Sequence, residues 1–465
     1  MATYKTPGVY VEEISTLPAS VAQVETAIPA FIGYTERASK KGEALTLKPT
    51  RIKSLPEYEE LFGGAQEETT LTVSITDQGG NRTVVANEPS AGSKYLMWYS
   101  MKMYFANGGG PCYIVSVSGY KQDGAVSKTD LSSGLSMLET EDEPTLIVFP
   151  DATGVSQAAS FYTLYCEALS QCNKLQDRFA IIDTYNQGDT APATLRSTLS
   201  SDYLKYGAAY YPYLKTILNF EYDDTEVTLE HTEIADDDSE SEGALHDAKL
   251  NTLKGSNDAL YNQIKAELGL LSVTLPPSST MAGVYARVDS DRGVWKAPAN
   301  VSLNSVIKPT RKITNEEQEG LNVDVTAGKS INAIRSFTGK GILVWGARTL
   351  AGNDNEWRYV SVRRFYNMVE ESIKKATEKV VFEPNDANTW IKSKAQIENF
   401  LGNLWRQGAL AGAVPEQAFF VNIGLGQTMT ALDILEGRMI IEIGMAVVRP
   451  AEFIILRFSH KMQES

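Results

Sequence analysis

The spacing of hydrophobic residues changes along the chain, and each change predicts a different element. In the first half, short apolar runs bounded by glycine, proline or aspartate predict buried strands, and longer mixed runs between them predict helices. The predicted strands include "AIPAFIGYTE" (27–36), "CYIVSV" (112–117), "TLIVFPD" (145–151) and "RFAIIDTY" (178–185), and the predicted helices include 93–110 and 156–175. Because buried strands alternate with helices, we predict an α/β domain with a mostly parallel sheet covered on both faces.

The last hundred or so residues have a helical period instead. Two apolar stripes recur at the spacing of an amphipathic helix and predict two helices whose apolar faces lie in a core. The stripes are Val362, Phe365, Tyr366, Val369 and Ile373, and then Ile397, Phe400, Leu401, Leu404 and Trp405. Two predicted strands follow, "GRMIIEIGMAVV" (437–448) and "AEFIILRFSH" (451–460). We therefore predict a separate α+β unit that ends on a strand with an open edge.

These patterns divide the chain into three segments. Residues 1–22 form a predicted extended arm, because its β-branched and aromatic residues favour strand and no helical period appears. Residues 23–350 form the α/β domain, with insertions at about 40–95 and 218–250, the first containing a hairpin that turns at Gly79 and Gly80. Residues 351–465 form the α+β domain.

Charge is concentrated in one segment of the chain. The formal net charge is -15, and residues 221–247 contain twelve acidic residues and no lysine or arginine. We interpret this segment as a solvated surface loop, since its acids lack the spacing of a calcium-binding loop. No basic cluster suggests direct binding of nucleic acid.

The remaining composition argues against secretion, disulfides and metal sites. The N-terminus lacks the apolar core of a secretory signal, and no apolar stretch has membrane-spanning length, so we expect a protein made and kept in the cytoplasm, with no membrane insertion by this chain. Three cysteines, an odd number, are expected to be buried thiols. Three histidines, His231, His246 and His460, are too few and poorly placed for a zinc site, and we expect no cofactor.

Signals of catalysis are weak. The glycines of "ANGGGP" (106–111) follow a helix and precede a strand, which is the reverse of a phosphate loop, and "IGLGQT" (423–428) lacks the lysine of one. Asp183 ends a predicted strand where a hydrolase could place a triad acid, but no serine lies in a nucleophile-elbow motif. We expect no enzyme activity, and a subtilisin-like hydrolase is the alternative hypothesis.

The polar stretch "DSDRGVWKAPAN" (289–300) allows two interpretations, a functional loop or a structural corner. Gly293 and Pro298 predict an irregular conformation. As a corner, Asp289 or Asp291 would pair with Arg292, and Trp295 would be buried with its N–H satisfied, while Asn300 would cap a turn. The candidate residues of this stretch are Asp289, Arg292, Gly293, Trp295, Lys296, Pro298 and Asn300.

Nine blocks, taken in order along the chain, resemble the tail sheath proteins of contractile phage tails and phage-tail-like injection particles. They are "TPGVYVEEI" (6–14), "AIPAFIGYTE" (27–36), "YFANGGGPCYIVSV" (104–117), "AGVYARVDSDRGVWKAPAN" (282–300), "VWGARTL" (344–350), "EWRYVSVRRF" (356–365), "VFEPND" (381–386), "LWRQGALAGAVPEQAFFV" (404–421) and "VVRPAEFIILRF" (447–458). The resemblance runs from the arm to the last strand, with only the regions around 40–95 and 218–250 outside it. It implies that 289–300 is a scaffold signature.

The resemblance further implies a central domain that is subtilisin-like in fold but lacks the catalytic triad. It implies a structural subunit that polymerises helically around an inner tube and contracts from a metastable extended state to drive the tube through a target envelope. The expected partners are other copies of the chain and sheath paralogues, the inner tube protein, and baseplate and terminator or cap proteins. The particle would be a phage tail or a tail-like particle that is released or anchored at a membrane.

Two sets of residues follow from this resemblance. The arm and the last strand are expected to link subunits by β-augmentation. The residues of this strand exchange are Pro7, Gly8, Val9, Tyr10, Val11, Glu12, Phe453, Ile454, Ile455, Leu456, Arg457 and Phe458. On the second C-terminal helix, Asn403, Arg406 and Gln407 are expected to face the tube, with Leu404 and Trp405 inward.

Overall fold

A computed structural model describes residues 21–90 and 92–457 of the chain. They form two compact units, one of residues 25–367 and 449–457 and the other of residues 21–24 and 368–448. The strand-exchange residues Pro7, Gly8, Val9, Tyr10, Val11, Glu12 and Phe458 lie outside the described residues. The domain boundary expected at residue 350 stays a prediction.

The larger unit is built on an eight-stranded sheet, with strands numbered here in chain order. Its strands are β1 (Pro29–Thr35), β4 (Thr50–Ile52), β7 (Cys112–Gly119), β8 (Leu146–Val148), β9 (Phe179–Ile182), β10 (Gly207–Tyr211), β16 (Ile331–Phe337) and β17 (Gly341–Val344). Their order is β17-β16-β10-β9-β8-β1-β7-β4. The inner strands pair in parallel, and only the two edge strands, β4 and β17, are antiparallel. The predicted mostly parallel sheet is confirmed.

Helices cover both faces of this sheet. One face packs on α1 (Leu55–Phe62), α2 (Met97–Ala106) and α7 (Ser278–Arg292), and the other on α3 (Lys128–Met137), α4 (Ala158–Leu175), α5 (Ala191–Thr198) and α8 (Asn315–Asn322). Side chains of β1 alternate between the two layers, since Phe31 enters the first and Ile32 and Tyr34 enter the second. This explains why the strand sequence is apolar without interruption.

Parts of the two predicted insertions fold together into one small module, whereas β4 and α1 of the first belong to the large sheet and its cover. The module consists of β5 (Thr72–Gln78), β6 (Asn81–Asn87), β12 (Thr228–Ile234), β13 (Glu240–Glu242) and α6 (Asp258–Leu268). Strands β5 and β12 pair in parallel along their whole length, although about 150 residues separate them in sequence. Val73, Ile75 and Leu229 lie in the core of the module.

This pairing corrects some of the sequence interpretation. The solvated-loop prediction is wrong for residues 228–234 and 240–242, which pair with each other as strands, although the acids at 236–242 are exposed as expected. The predicted hairpin is confirmed, because β5 ends at Gln78 and β6 begins at Asn81. The acidic composition hid the strand because two of its seven residues, Glu230 and Glu233, are exposed acids.

The smaller unit is mainly helical. Helix α9 (Val360–Thr377) runs across the division at residue 367, and α10 (Ala387–Arg406), α11 (Pro415–Ala418), β18 (Phe419–Asn422), α12 (Ala431–Leu435) and β19 (Glu442–Met445) follow. The predicted stripes are buried apart from the half-buried Tyr366 and Trp405, which confirms both amphipathic helices. Strands β18 and β19 form a two-stranded antiparallel sheet.

The remaining elements are short. The strands are β2 (Ser39–Lys40), β3 (Glu43–Ala44), β11 (Leu214–Thr216), β14 (Thr274–Leu275) and β15 (Val306–Pro309), and the 3-10 helices are Leu138–Thr140, Ala152–Gly154, Leu204–Tyr206, Leu250–Leu253 and Glu378–Val380.

Two sequence predictions about elements are wrong. The strand predicted at 451–460 is absent from its described residues, 451–457, which belong to no helix or strand. Conversely, the apolar pattern predicts no helix where α7 lies. Its small and polar residues, such as Ser278, Ser279 and Thr280, are buried at its first turn, so apolar periodicity gave no signal there.

Candidate functional site

The first residues of the signature stretch 289–300 are helical and not a loop. Asp289 and Arg292 lie in the last turn of α7, which ends at Gly293. The expected pairing of Asp289 or Asp291 with Arg292 is not the one that forms. Asp289 instead accepts hydrogen bonds from Arg364 on α9, at 3.0 and 2.5 Å.

A buried network surrounds this ion pair. The Thr26 hydroxyl donates to Asp289 at 2.6 Å, and Arg364 also donates to the Thr26 carbonyl at 2.8 Å. The Arg364 guanidinium lies 4.6 Å from the ring centroid of Tyr285, whose hydroxyl is 2.7 Å from that of Tyr210 on β10. The side chain of Arg364 is only 3% exposed and that of Asp289 only 6%. The buried charge pair therefore joins α7, α9 and Thr26, which precedes β1.

Gly293 ends the helix for a steric reason. Its φ is +90°, and a Cβ at this position would lie 2.5 Å from the ring of Trp295. Trp295 packs edge-on against Phe365 with ring centroids 6.4 Å apart. The expectation that its N–H is satisfied is wrong, because Nε1 is buried with no hydrogen-bond partner among the described residues. Shape, and not hydrogen bonding, holds this indole.

The end of the stretch is a corner, as one interpretation expected. The Lys296 N–H donates to the Gly293 carbonyl at 3.0 Å, and Pro298 is buried. Asn300 has a φ of +55° and its N–H donates to the carbonyl of Val344 on β17 at 2.8 Å. Asparagine tolerates this left-handed conformation better than most residues. The stretch thus connects a helix end to the edge strand of the sheet.

Asp183 has a partner that the sequence did not reveal. It follows β9 and accepts hydrogen bonds from the backbone N–H and the hydroxyl of Ser278, at 2.8 and 2.5 Å, at the first turn of α7. Both side chains are fully buried. Burial raises the pKa of Asp183 to about 7. An aspartate and a serine thus meet, but they cap a helix inside the core, where no substrate reaches them.

A second carboxylate has the same role on the neighbouring strand. Asp151 follows β8 and accepts from the N–H groups of Tyr34 and Leu96, at 2.6 and 2.5 Å, beside the start of α2. Burial raises the pKa of this carboxyl to about 7 as well. The two aspartates at the carboxyl ends of adjacent parallel strands are therefore used for anchoring helices.

The histidines of the described residues lie in the insertion module. His231 Nε2 is 3.0 Å from an oxygen of Asp77, and its Nδ1 accepts the N–H of Leu245 at 3.2 Å. This assigns the Nε2–H tautomer. Glu233 lies near both side chains. Asp77 also accepts two hydrogen bonds from Arg82, so its carboxylate is bonded to both His231 and Arg82.

The other sequence signals have structural explanations. The glycines at 108–110 follow the end of α2, and Gly108 has a φ of +100°, as expected for a helix stop. Cys112 and Cys172 are buried free thiols whose pKa values burial raises, and Cys166 is a half-buried free thiol. Within residues 21–90 and 92–457, the helices are too short or too polar to cross a membrane.

The C-terminal segment is the most exposed apolar stretch described. Phe453, Ile454, Ile455 and Leu456 are 70 to 79% exposed. Arg457, which follows them, is also exposed. Just before them, Glu452 is held in the larger unit by a bidentate ion pair with Arg348, at 2.9 and 2.7 Å. The segment therefore leaves the folded body at a defined residue.

The residues expected to face a tube lie at the end of α10. Leu404 is buried, as expected, and Asn403 and Trp405 are half-buried, while Arg406 and Gln407 are exposed. The Arg406 guanidinium donates to the side-chain oxygen of Asn403. The side chains of Arg406 and Gln407 are thus available at the surface of the smaller unit.

Exposed apolar side chains are dense in the smaller unit. Phe382, which follows α9, has a φ of +71° and a fully exposed ring. Other large apolar residues of this unit that are at least 40% exposed are Val381, Ile391, Val414, Phe420, Leu425, Leu432, Leu435 and Ile440. Large exposed apolar areas mark interaction surfaces.

Comparison with known proteins agrees with these features. The family model for the phage tail sheath protein central domain matches residues 124–350, and the model for the phage tail sheath C-terminal domain matches residues 352–461. The chain is 30% identical over 142 residues to the tail sheath protein of Burkholderia phage BcepMu, which covers 30% of this chain and 29% of the relative. It is 24% identical over 127 residues to that of Enterobacteria phage T4, covering 27% and 19%. The aligned segments thus span less than a third of these curated relatives.

Solved structures extend the similarity over the whole chain. The sheath complex of PVC, an extracellular contractile injection system, in the contracted state is 31% identical, with a TM-score of 0.65 and 99% of each chain covered. The contracted helical sheath of the anti-feeding prophage is 32% identical, with a TM-score of 0.66, covering 99% of this chain and 100% of that one.

The fold and these matches define a structural protein of contractile tails. The chain belongs to the phage tail sheath family, and it is a tail sheath protein of the contractile injection system class. The resemblance noted in the sequence is confirmed, and the alternative of a subtilisin-like hydrolase is not favoured.

Proposed function

We propose that this chain polymerises into a hollow helical sheath around an inner tube, and that the sheath contracts from a metastable extended state to drive the tube through a target envelope. The observation that carries the proposal is the similarity over 99% of the chain to sheath chains in the contracted state. Relief of a metastable packing supplies mechanical work without bond chemistry.

Subunits are linked by strand exchange in this proposal. The exposed segment Phe453–Arg457 is rich in strand-forming residues, and the sheet of β18 and β19 has two strands within the described residues and so offers open edges. An added strand with about six backbone hydrogen bonds, at ~0.5 to 1.5 kcal/mol each, would contribute roughly 3 to 9 kcal/mol. The arm residues Pro7–Glu12 are the second proposed donor.

Links of this kind, repeated between identical chains, generate a helical polymer. The donated strand and the accepting sheet are different surfaces of identical chains, so the contact is heterologous, and a heterologous contact that does not close builds a helical polymer. The exposed apolar residues of the smaller unit supply further contact area between copies.

The domain assignment belongs to this proposal. The central domain, residues 23–350, would have the subtilisin-like fold without the triad, and residues 351–465 would form the sheath domain. The mostly parallel sheet covered on both faces supports the first, and the meeting of the two family models between residues 350 and 352 supports the boundary. The burial of Asp183 and Ser278 supports a scaffold in place of a catalytic site.

The tube would contact the end of α10. Asn403, Arg406 and Gln407 are the polar residues that we assign to this contact, and the exposure of Arg406 and Gln407 supports it. Similarity to a chain of the anti-feeding prophage baseplate, at 32% identity, supports a baseplate partner, and a terminator or cap protein would close the other end.

The particle is best described as a tail-like injection system. Similarity over 99% of the chain is to the sheaths of PVC, an extracellular contractile injection system, and of the anti-feeding prophage, whereas the phage relatives align over less than a third of this chain. Assembly in the bacterial cytoplasm followed by release or membrane anchoring would fit a subunit of this kind.

Electron microscopy of the purified chain, expressed alone and together with its tube and baseplate proteins, tests the proposal. Hollow striated cylinders are the expected product. Dispersed particles under both conditions would contradict helical polymerisation.

A further inference from the structure

Glu452 is the most heavily bonded residue of the C-terminal segment. Its two carboxylate oxygens accept from Arg348 Nε at 2.9 Å and Nη2 at 2.7 Å, from Asn322 Nδ2 at 2.7 Å and from the Tyr359 hydroxyl at 3.1 Å. Burial alone would raise the pKa of Glu452, but the hydrogen bonds from Arg348 and Asn322 outweigh it and lower the pKa. The carboxylate is thus ionised and bonded from three sides.

The donors are themselves held in place. Arg348 is 3% exposed and its Nη1 donates to the carbonyls of Asn322 and Gly352, at 3.2 and 3.4 Å. The planar guanidinium with both edges bonded has little freedom to follow a moving carboxylate. The site is therefore a preformed socket for one carboxylate, and it lies in a groove of about 640 Å³ that Phe453 and Ile454 also line.

The chain changes character on the two sides of Glu452. Before it, Arg449 donates to the Asn355 carbonyl at 2.7 Å, and Pro450 restricts the backbone. After it, the side chains from Phe453 to Leu456 are 70 to 79% exposed. Anchored residues thus end, and the segment proposed for strand exchange begins, at this carboxylate.

We infer that Glu452 in its Arg348 socket is the anchor through which a donated C-terminal strand is held to its own subunit, an inference that rests on the proposed sheath function. Tension along an exchanged strand enters the folded body at this ion pair. Without it, residues 450–452 join the free segment and add at most about 11 Å of slack. The anchor fixes the length of the link between neighbours, and hence the spacing that the helical lattice can adopt.

The first experiment measures the anchor in the unassembled protein. Chymotrypsin cleavage after Phe453, followed by mass spectrometry of the released peptide, reports whether the segment is held. We expect Glu452→Gln to speed cleavage roughly tenfold, and Asn322→Ala and Tyr359→Phe, which leave the cleaved sequence unchanged, to speed it less. The matched control is Glu319→Gln, an exposed carboxylate that lines the same groove. Equal cleavage rates in all variants would overturn the anchor.

The second experiment measures the assembled sheath. Cylinders of Glu452→Gln and Tyr359→Phe should break into shorter pieces under shear than cylinders of wild type or Glu319→Gln. Unchanged length distributions overturn the inference while leaving the sheath function standing. If the wild-type chain forms no cylinders, the proposed function fails, and the cleavage rates alone then decide whether Glu452 anchors the segment.

Discussion

Arg364 and Asp289, 75 residues apart in sequence, form a bidentate ion pair in the core of the larger unit. It joins the C-terminal end of α7 to α9, and Thr26, which precedes β1, completes it. The signature stretch "DSDRGVWKAPAN" thus has a structural role, because its first residue holds α7 to α9.

Removing one partner of this pair should destabilise the fold strongly. Asp289→Ala leaves the Arg364 charge buried without its carboxylate, which typically costs about 3 to 5 kcal/mol of unfolding free energy. Urea denaturation followed by circular dichroism measures this loss. The exposed Asp291 provides the control, and Asp291→Ala should change stability by less than about 0.5 kcal/mol. Similar losses for both variants would show that the ion pair is not important for stability.

Stability should depend on pH through Asp183. Burial raises its pKa to about 7, so the folded state keeps a proton that the unfolded state, with a pKa near 3.9, has released. This contribution is fully present below about pH 4 and is lost as pH rises through 7. From pH 5 to pH 8, the wild type should lose about 2 to 3 kcal/mol of unfolding free energy relative to Asp183→Asn.

Urea titrations of both proteins at several pH values measure this difference. The exposed Asp236 supplies the control, since Asp236→Asn should follow the wild type across the range. A constant difference between wild type and Asp183→Asn would contradict a raised pKa at this position.

Strand β12, which lies in the acidic segment, should be packed against the core of the insertion module. Leu229→Ala removes a fully buried side chain of its core and should cost about 2 to 5 kcal/mol. Its neighbour Glu230 faces outward on the same strand, so Glu230→Ala should have an effect within about 0.5 kcal/mol. Thermal or urea unfolding of the two variants compares opposite faces of one strand, and equal effects would support the solvated-loop interpretation instead.

Deletion of residues 1–20 should separate folding from assembly. The described fold begins at residue 21, and the deleted arm contains the proposed strand donor Pro7–Glu12. We expect a folded monomer, by circular dichroism and light scattering, that forms no cylinders in electron microscopy. Normal cylinders from this truncation would exclude the arm from strand exchange.

Charge reversal on α10 should weaken tube attachment without affecting the fold. Arg406 is exposed near the end of this helix, so Arg406→Glu should reduce co-sedimentation with tube assemblies at least roughly tenfold. Lys394→Glu, on the same helix but pairing with Glu398, is the matched control. Loss of binding in both variants would point to general charge effects, and loss in neither would remove α10 from the tube interface.

Sequence patterns located most elements because burial leaves a local signal. The buried strands β1, β7, β8 and β9, the helices α2 and α4 and the stripes of α9 and α10 were predicted from apolar spacing. Helix α7 was not, because its first turn buries serine and threonine next to Asp183. Its burial depends on a partner elsewhere in the chain.

The strand predicted at residues 451–460 is the opposite case, in which a local pattern predicted an element that the described part of this segment lacks. Its β-branched and aromatic residues favour strand, yet the described residues 451–457 pair with no strand. A strand needs a neighbour for its backbone hydrogen bonds, and sequence cannot say whether that neighbour lies in the same chain.

By itself, the sequence determined the mixed α/β character of the fold, the core faces of the helices and, through nine ordered blocks, the family. These follow from local periodicity and from motifs that need no partner. Only the tertiary structure decided that the two insertions share one sheet, that Asp289 pairs with Arg364, and that Glu452 occupies the socket of Arg348. These contacts join residues far apart in sequence, and their energies depend on geometry that the fold alone creates.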